Sequence, residues 1–421
     1  MKKPILGSRT FLAENNQRLR SFEKFVNEVY NHPQDTSPLY TGRYFVILKD
    51  GNRDFSRVER LFESRMGIQV ANTKDFDLQA FDESQIEGAD ALIFEDLGVA
   101  LVGGEEDQVQ LLESDTSLEY IVVPEKVVYI PESIPASLNI PTTWGLQATR
   151  AANSQFTGKD IKVAVLDTGF DLHHPDFTNR NIVSSSFVPN ETAQDQHGHG
   201  THCVGTACGN LDRTGQRYGV AKEASIYVGK VLSNQGSGAQ AWILAGMEWA
   251  ANNGCHVISM SLGSRTFPGQ SHDIAYERAS KSAMAKGSVV IAAAGNDSRR
   301  SWNHYDPVSS PADCPSVLAI AALDSGLNIA DFSNRAINPM ALIDIAAPGV
   351  QVYSSWPLPA RYRTISGTSM ATPHVAGIIA LLREQYPHAT PSQIISTLQT
   401  IAQKLPLLSI QDVGAGLATA P

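Results

Sequence analysis

IKVAVLDTG, residues 161–169, is the stretch that decides the fold. Five of its first six side chains are apolar, so it lacks the alternation of a strand with one face in water. A short apolar run that closes on Asp-Thr-Gly reads as a strand buried on both faces. The pattern recurs at ASIYVGKVL (224–232), CHVISMSL (255–262), SVVIAAAGN (288–296) and SVLAIAAL (316–323). GAQAWILAGMEWAANNG (238–254) and SMATPHVAGIIALLREQYP (369–387) read as helices. Strands apolar throughout, with helices between them, imply a mainly parallel sheet with helices on both faces, an α/β fold. Functional groups are then expected at the carboxyl ends of the strands.

Upstream, PESIPASLNIPTT (131–143) carries prolines at 131, 135 and 141 and reads as a boundary. Before it the pattern differs. RYFVILKDG (43–51) is a strand closing in a turn, and FSRVERLFESRMG (55–67) is an amphipathic helix with Phe55, Val58, Leu61 and Phe62 on one side. IQVAN (68–72), ALIFEDLGVALVG (91–103) and YIVVPEKVVYI (120–130) are further strands, and EEDQVQLLESDTSL (105–118) is a second amphipathic helix. This order describes a small α+β domain of the split βαβ type, ferredoxin-like in plan (βαββαβ). Residues 1–40 are polar, with a helix expected from about Asn16 to Tyr30. The expected organisation is an N-terminal extension over 1–40, the small domain over 41–130, a linker over 131–142 and the large domain over 143–421.

The net charge of -10 and pI near 5.6 argue against nucleic acid or an anionic membrane as the main partner. No apolar run approaches the roughly 18 residues of a membrane span. MKKPILGSRTFLAENN has no apolar core of a secretory signal, which favours a cytoplasmic location and leaves export by another route as the alternative. The four cysteines, 203, 208, 255 and 314, are too few for a disulfide framework and are expected to be reduced.

Three segments carry candidate chemistry. Asp167 ends the strand IKVAVLD, where a buried carboxylate is costly unless something uses it. Taken alone it also fits a cap on the next turn. Ser369, in GTSMATPHVAG (367–377), lies where a glycine turn enters an apolar helix, near unpaired N–H groups that favour negative charge. An isolated serine there is usually an N-cap. HGHGTHC (197–203) is read in two ways: a metal cluster of His197, His199 and His202, or one imidazole acting as a base. A serine needs such a base, and the base needs a carboxylate to fix its tautomer. Asn296, after VVIAAAG, offers an amide to an oxyanion beside the Ser369 N–H.

AVLDTG, GHGTHCVGT, AAAGN and GTSMATPHVAG together resemble the signature blocks of the subtilisin-like serine proteases, in that family's order, over about residues 140–420. GHGTHC, RYGVAKEAS and SPADCPSV are most similar to proteinase K-like members. The resemblance implies a serine endopeptidase in which Asp167 orients His199, His199 is the base, Ser369 attacks and Asn296 completes the oxyanion hole. It implies that Gly236, Ser237 and Gly238 face Ser261, Leu262 and Gly263 across an extended peptide substrate, with Ser309 near the base of the first pocket. Cys203 would pack beneath His199. The resemblance implies no cofactor for chemistry and a structural calcium ion on the Pro315 and Val317 carbonyls and the Asp344 carboxylate. A second family calcium position would use Asp176 and the loop 209–218, where Arg213 is an unfavourable neighbour. The small domain resembles the family's inhibitory propeptide, an intramolecular partner that lays its tail through the cleft and holds the chain as a zymogen. Pro131, just after the Ile130 cut that the resemblance implies, makes a poor leaving residue there. The rival readings are a metal-dependent hydrolase built on His197, His199 and His202, and a catalytically silent, protease-like binding module.

Overall fold

The computed structural model describes residues 39–49, 55–63, 67–76, 89–103, 120–130 and 142–421. The helices expected at 16–30 and 105–118 and most of the proline-bearing boundary lie outside them. Five strands come first: β1 (Tyr40–Leu48), β2 (Val70–Asn72), β3 (Ala91–Phe94), β4 (Val99–Gly103) and β5 (Tyr120–Tyr129). They lie side by side in the order β2-β3-β4-β1-β5. ALIFEDLGVALVG is one antiparallel hairpin, turned at Gly98, whose φ of 65° suits a residue without a Cβ. The run IQVAN is only a three-residue edge strand, pairing parallel with β3.

Alternation along β1 sends its side chains to two different cores. Val46 and Leu48 pack with Phe55, Val58 and Phe62. Phe45 and Ile47 instead join a core with Trp242, Ile243, Tyr276 and Ala279 of the large domain. Among the described residues, the second face of β1 is covered by the large domain's helices Gln240–Asn252 and Ile274–Ala285. Polar contacts reinforce the seam. Glu125 pairs with Arg43 at 2.5 Å and accepts from the Ala241 N–H at the start of the first helix, at 2.9 Å. Lys126 reaches Asp273, the N-cap of the second, at 2.8 Å.

Beyond residue 142 the strands are β6 (Lys162–Asp167), β7 (Ile182–Ser186), β8 (Ser225–Lys230), β9 (Ser237–Ala239), β10 (Val257–Met260), β11 (Val289–Ala293), β12 (Leu318–Leu323) and β13 (Ile345–Pro348). A two-stranded ribbon, β14 (Val352–Ser355) and β15 (Tyr362–Ile365), follows. The large sheet runs β13-β12-β11-β10-β6-β8-β7 with every neighbouring pair parallel. β6 shows why its sequence does not alternate. Ala164 and Leu166 enter the core with Gln240–Asn252 and Ile274–Ala285, while Val163 and Val165 enter a second core with helices His199–Cys208 and Thr368–Gln385. Both faces are dry, and each fully buried Val or Leu contributes about 1.5–3 kcal/mol. Because the strands run one way, the carboxyl ends of β6, β10 and β11 emerge along one edge, carrying Asp167, Ser261 and Asn296 with them.

The sequence boundary at residue 131 is not a boundary of hydrogen bonding. β5 continues antiparallel onto β9 of the large domain, with Val127 opposite Ala239, Val128 opposite Gly238 and Tyr129 opposite Ser237.

Candidate active site

β6 ends at Asp167, wholly buried, and the helix His199–Cys208 begins directly over it. That approach needs glycine. A Cβ on Gly200 would sit 2.2 Å from the Gly169 carbonyl oxygen, and one on Gly198 (φ 107°) would strike the Trp356 ring at 2.3 Å. With the helix seated so closely, His199 Nδ1 lies 2.8 and 3.0 Å from the two Asp167 oxygens. Asp167 Oδ1 also accepts from the Thr168 N–H at 2.7 Å. The carboxylate accepts only, so Nδ1 carries the hydrogen and Nε2 is left as the basic nitrogen. Nε2 has no partner among the described residues. Burial works against charge on His199, but the Asp167 carboxylate outweighs it and holds its pKa well above the ordinary imidazole value.

Ser369 is the second residue of the helix Thr368–Gln385 and is buried. Its hydroxyl donates to the Ser261 carbonyl at 3.2 Å, so attack requires it to turn from that carbonyl to Nε2. Cys203 lies beneath the pair: its sulfur is 3.8 Å from His199 Nδ1 and 3.6 Å from the Ser369 carbonyl. Burial pushes the Cys203 thiol pKa up, which suits packing rather than nucleophilic chemistry. Asn296 is oriented from one end only. Its Oδ1 accepts from the Thr368 N–H and hydroxyl at 2.9 and 2.8 Å, and its buried Nδ2 has no partner among the described residues. Asn296 Nδ2 and the Ser369 N lie 3.1 and 3.6 Å from the point a Cβ on Gly367 would occupy. Two N–H donors thus border one small space beside the hydroxyl. The whole can take a proton from Ser369 and stabilise an oxyanion, the needs of acyl transfer.

The two segments that the resemblance pairs do lie opposite each other, and the chain's own β5 runs between them. Tyr129 exchanges backbone hydrogen bonds with Gly263 at 3.1 and 3.3 Å, and the Ile130 N–H donates to the Gly236 carbonyl at 3.1 Å. Leu262 is buried behind this strand. Ser309 is buried and packs close to Gly295 and Asp297: its Oγ lies 2.3 Å from where a Gly295 Cβ would be and 3.5 Å from Asp297. The sequence reading missed Asn334 there, which reaches Asp297 at 2.9 Å and Ser309 at 3.4 Å. Nothing local to Asn334 marks it, since folding alone brings it to Asp297 and Ser309.

The three histidines of HGHGTH do not converge, which overturns the metal-cluster reading. His202 Nε2 donates to the Val352 carbonyl at 3.0 Å, and burial takes its pKa down to about 3. His197 turns the other way, its Nε2 2.9 Å from the Cβ position of Gly236. Among the described residues, one set of three metal-ligating side chains has its ligand atoms within 4.8 Å of one another, Asp167, His199 and Cys203, and there the imidazole is already spent on the carboxylate.

The implied calcium position lies at the opposite edge of the sheet. Pro315 and Val317 precede β12, and Asp344 precedes the neighbouring β13. Asp344 accepts from the Ala319 N–H at 2.9 Å and the Gln399 amide at 3.4 Å, and burial pushes its carboxyl up to about 6. An enclosed carboxylate is a hard-oxygen donor of the kind this ion takes. At the second implied position, Asp176 is already engaged by the hydroxyls of Tyr218 and Tyr362 at 2.8 and 2.9 Å.

Comparison with known proteins points the same way. The family described as "Subtilase family" matches residues 158–416. The chain is 39% identical to "M-protease" of Shouchella clausii over 331 residues, 78% of this chain and 79% of that protein. The "Alkaline protease" of Alkalihalobacillus alcalophilus matches to the same extent. "Subtilisin Savinase" of Lederbergia lenta is 41% identical over 281 residues, 66% of this chain and 96% of that protein.

Proposed function

The chain belongs to the subtilase family and is a serine endopeptidase, and from that premise we propose that Asp167, His199, Ser369 and Asn296 are its catalytic residues and that residues 41–130 hold it latent. His199 Nε2 takes the Ser369 proton as Oγ attacks the scissile carbonyl, while Asp167 steadies the imidazolium. The Asn296 amide and the Ser369 N–H receive the oxyanion. The imidazolium then protonates the leaving amine, and water hydrolyses the acyl-enzyme by the same route reversed. A substrate adds as a strand between residues 236–238 and 261–263, with Ser309 at the base of the first pocket.

The observation that carries latency is the strand Val127–Ile130, which already makes those strand-addition bonds. A tethered occupant competes at an effective concentration on the order of millimolar, so substrate at tens of micromolar is held off by roughly 10- to 100-fold. Placing a cleavage site for a sequence-specific protease within 131–141, cutting after folding and removing the released N-terminal fragment should raise peptide turnover by that factor per fluorophosphonate-reactive Ser369. Equal turnover before and after the cut would remove the latency reading. Mass spectrometry of the uncut protein, with Ser369→Ala as control, shows in parallel whether the chain cuts itself.

Calcium, held by the Pro315 and Val317 carbonyls and Asp344, would neutralise the enclosed carboxylate and brace β12 against β13. Its expected signature is a fall in Tm of several degrees on chelation, with kcat at 25 °C unchanged because the site is at the far edge from the chemistry. Asp344→Asn should abolish that calcium response. An identical Tm with and without chelator rules the ion out.

A further inference from the structure

Asp195 is assigned no role by the sequence motifs, yet its buried carboxylate accepts five hydrogen bonds around the catalytic pair. Oδ1 takes the Thr168 hydroxyl at 3.0 Å and the N–H groups of His197 and Gly198 at 3.0 and 2.8 Å. Oδ2 takes the Thr201 N–H at 2.9 Å and its hydroxyl at 2.7 Å. The helix His199–Cys208 needs such a partner, because its own N-cap is Gly198, which has no side chain to accept from the first turn. Asp195 supplies that acceptor from four residues before the base.

The contacts close a ring. Thr168, bonded through its N–H to Asp167, gives its hydroxyl to Asp195 and accepts the Gly200 N–H at 2.9 Å. The Thr201 hydroxyl, bonded to Asp195, also accepts the Asp171 N–H at 3.0 Å. The turn after Asp167 and the first turn of the His199 helix are thus stitched together at one carboxylate. Lys230 fixes the turn from the other side, donating to the Thr168 carbonyl at 2.6 Å and pairing with Glu191 at 3.1 Å. We infer that Asp195 is a positioning residue for catalysis, which sets the height and rotation of the His199 ring over Asp167. This rests on the roles given to Asp167 and His199 above.

An asparagine has one acceptor where this site needs two, so Asp195→Asn turns an amide N–H against the donors on one side. The ring that must meet Ser369 then shifts, and a misplacement near 1 Å costs about 100-fold in rate. In the processed enzyme, assayed well below Tm, Asp195→Asn should lower kcat 10- to 100-fold with KM within about twofold, because the backbone groups that hold a substrate are elsewhere. It should also move the acid limb of kcat/KM to lower pH, since a ring displaced from Asp167 loses part of the contact that raises its pKa. The other charged or titratable groups facing His199 are unchanged: Asp167 of β6, Cys203 and His202 of its helix, His197 before it, and Lys230 of β8 beyond Thr168. Asp195→Glu should fail to rescue, the longer arm being unable to reach both sides.

Thr168→Val is the second variant. It cuts the link from Asp195 to Gly200 but leaves the helix capped, and should lower kcat several-fold with little change in Tm. A lower Tm with unchanged kcat and an unmoved acid limb in either variant would show the network to be structural only and overturn the assignment. Should the underlying roles be wrong, His199→Ala would stay active, which is a separate and recognisable result.

Discussion

Ser369→Ala is expected to lower kcat by about 10⁶-fold if Ser369 is the proposed nucleophile, the size this change has in subtilisin itself. The nucleophile is gone, and nothing nearby replaces it. The Cys203 thiol is buried against the backbone of Ser369 rather than facing the cleft, and its raised pKa keeps it a thiol. The Ser261 hydroxyl is turned to the Ser369 carbonyl at 2.8 Å. His199→Ala should cost a similar factor and the double variant no more than either, because a proton acceptor without a nucleophile has nothing to act on. Single-turnover hydrolysis of a chromogenic peptide measures all three. Losses that multiplied in the double variant would mean that the two residues do not act as a unit. In the unmodified enzyme, labelling of Ser369 by a fluorophosphonate should rise with pH through a midpoint above 6.5. Asp167 favours the imidazolium, and only the neutral base can take the serine proton.

Asn296→Ala should lower kcat by roughly 100- to 1,000-fold with KM nearly unchanged, again a magnitude taken from subtilisin rather than deduced from these distances. The amide N–H meets charge that exists only in the transition state, so substrate binding loses little. The structure adds a complication particular to this side chain. Asn296 Oδ1 holds the Thr368 N–H and hydroxyl, so alanine also strands two buried donors at the start of the Ser369 helix. That costs about 1–3 kcal/mol of stability for each unsatisfied group. Asn296→Asp separates the effects: it keeps both acceptor bonds at Thr368 but puts a carboxylate oxygen, an acceptor that repels an oxyanion, where the amide donor was. A kcat loss in the aspartate variant at least as large as in the alanine one, with Tm lowered mainly in the alanine one, would place the catalytic effect on Nδ2. Near-native kcat for Asn296→Asp would exclude that role.

Parts of the fold were readable because their signals are local. IKVAVLD could be assigned as a doubly buried strand from its texture alone, and its two cores appear as Ala164 and Leu166 on one side and Val163 and Val165 on the other. IQVAN was weaker: five residues of mixed character became a three-residue edge strand, while the hairpin of β3 and β4 supplied the central pairing. HGHGTHC was open for a related reason. Which way an imidazole faces depends on partners 150 residues away, as the bond from His202 to Val352 shows.

Sequence alone determined the class of the protein and the parallel sheet, and it named the residues proposed for its chemistry, since these depend on apolar period and on motifs continuous in the chain. Tertiary structure decided how those residues are held. It tied Asp195 to the first turn of the His199 helix, freed one end of the Asn296 amide, separated the three histidines and brought Asn334 to Asp297 and Ser309. It also laid Val127–Ile130 along β9 and Gly263, so that the chain itself fills the groove. Each of these depends on backbone groups far apart in sequence meeting at hydrogen-bond distance, and local pattern carries no record of such meetings.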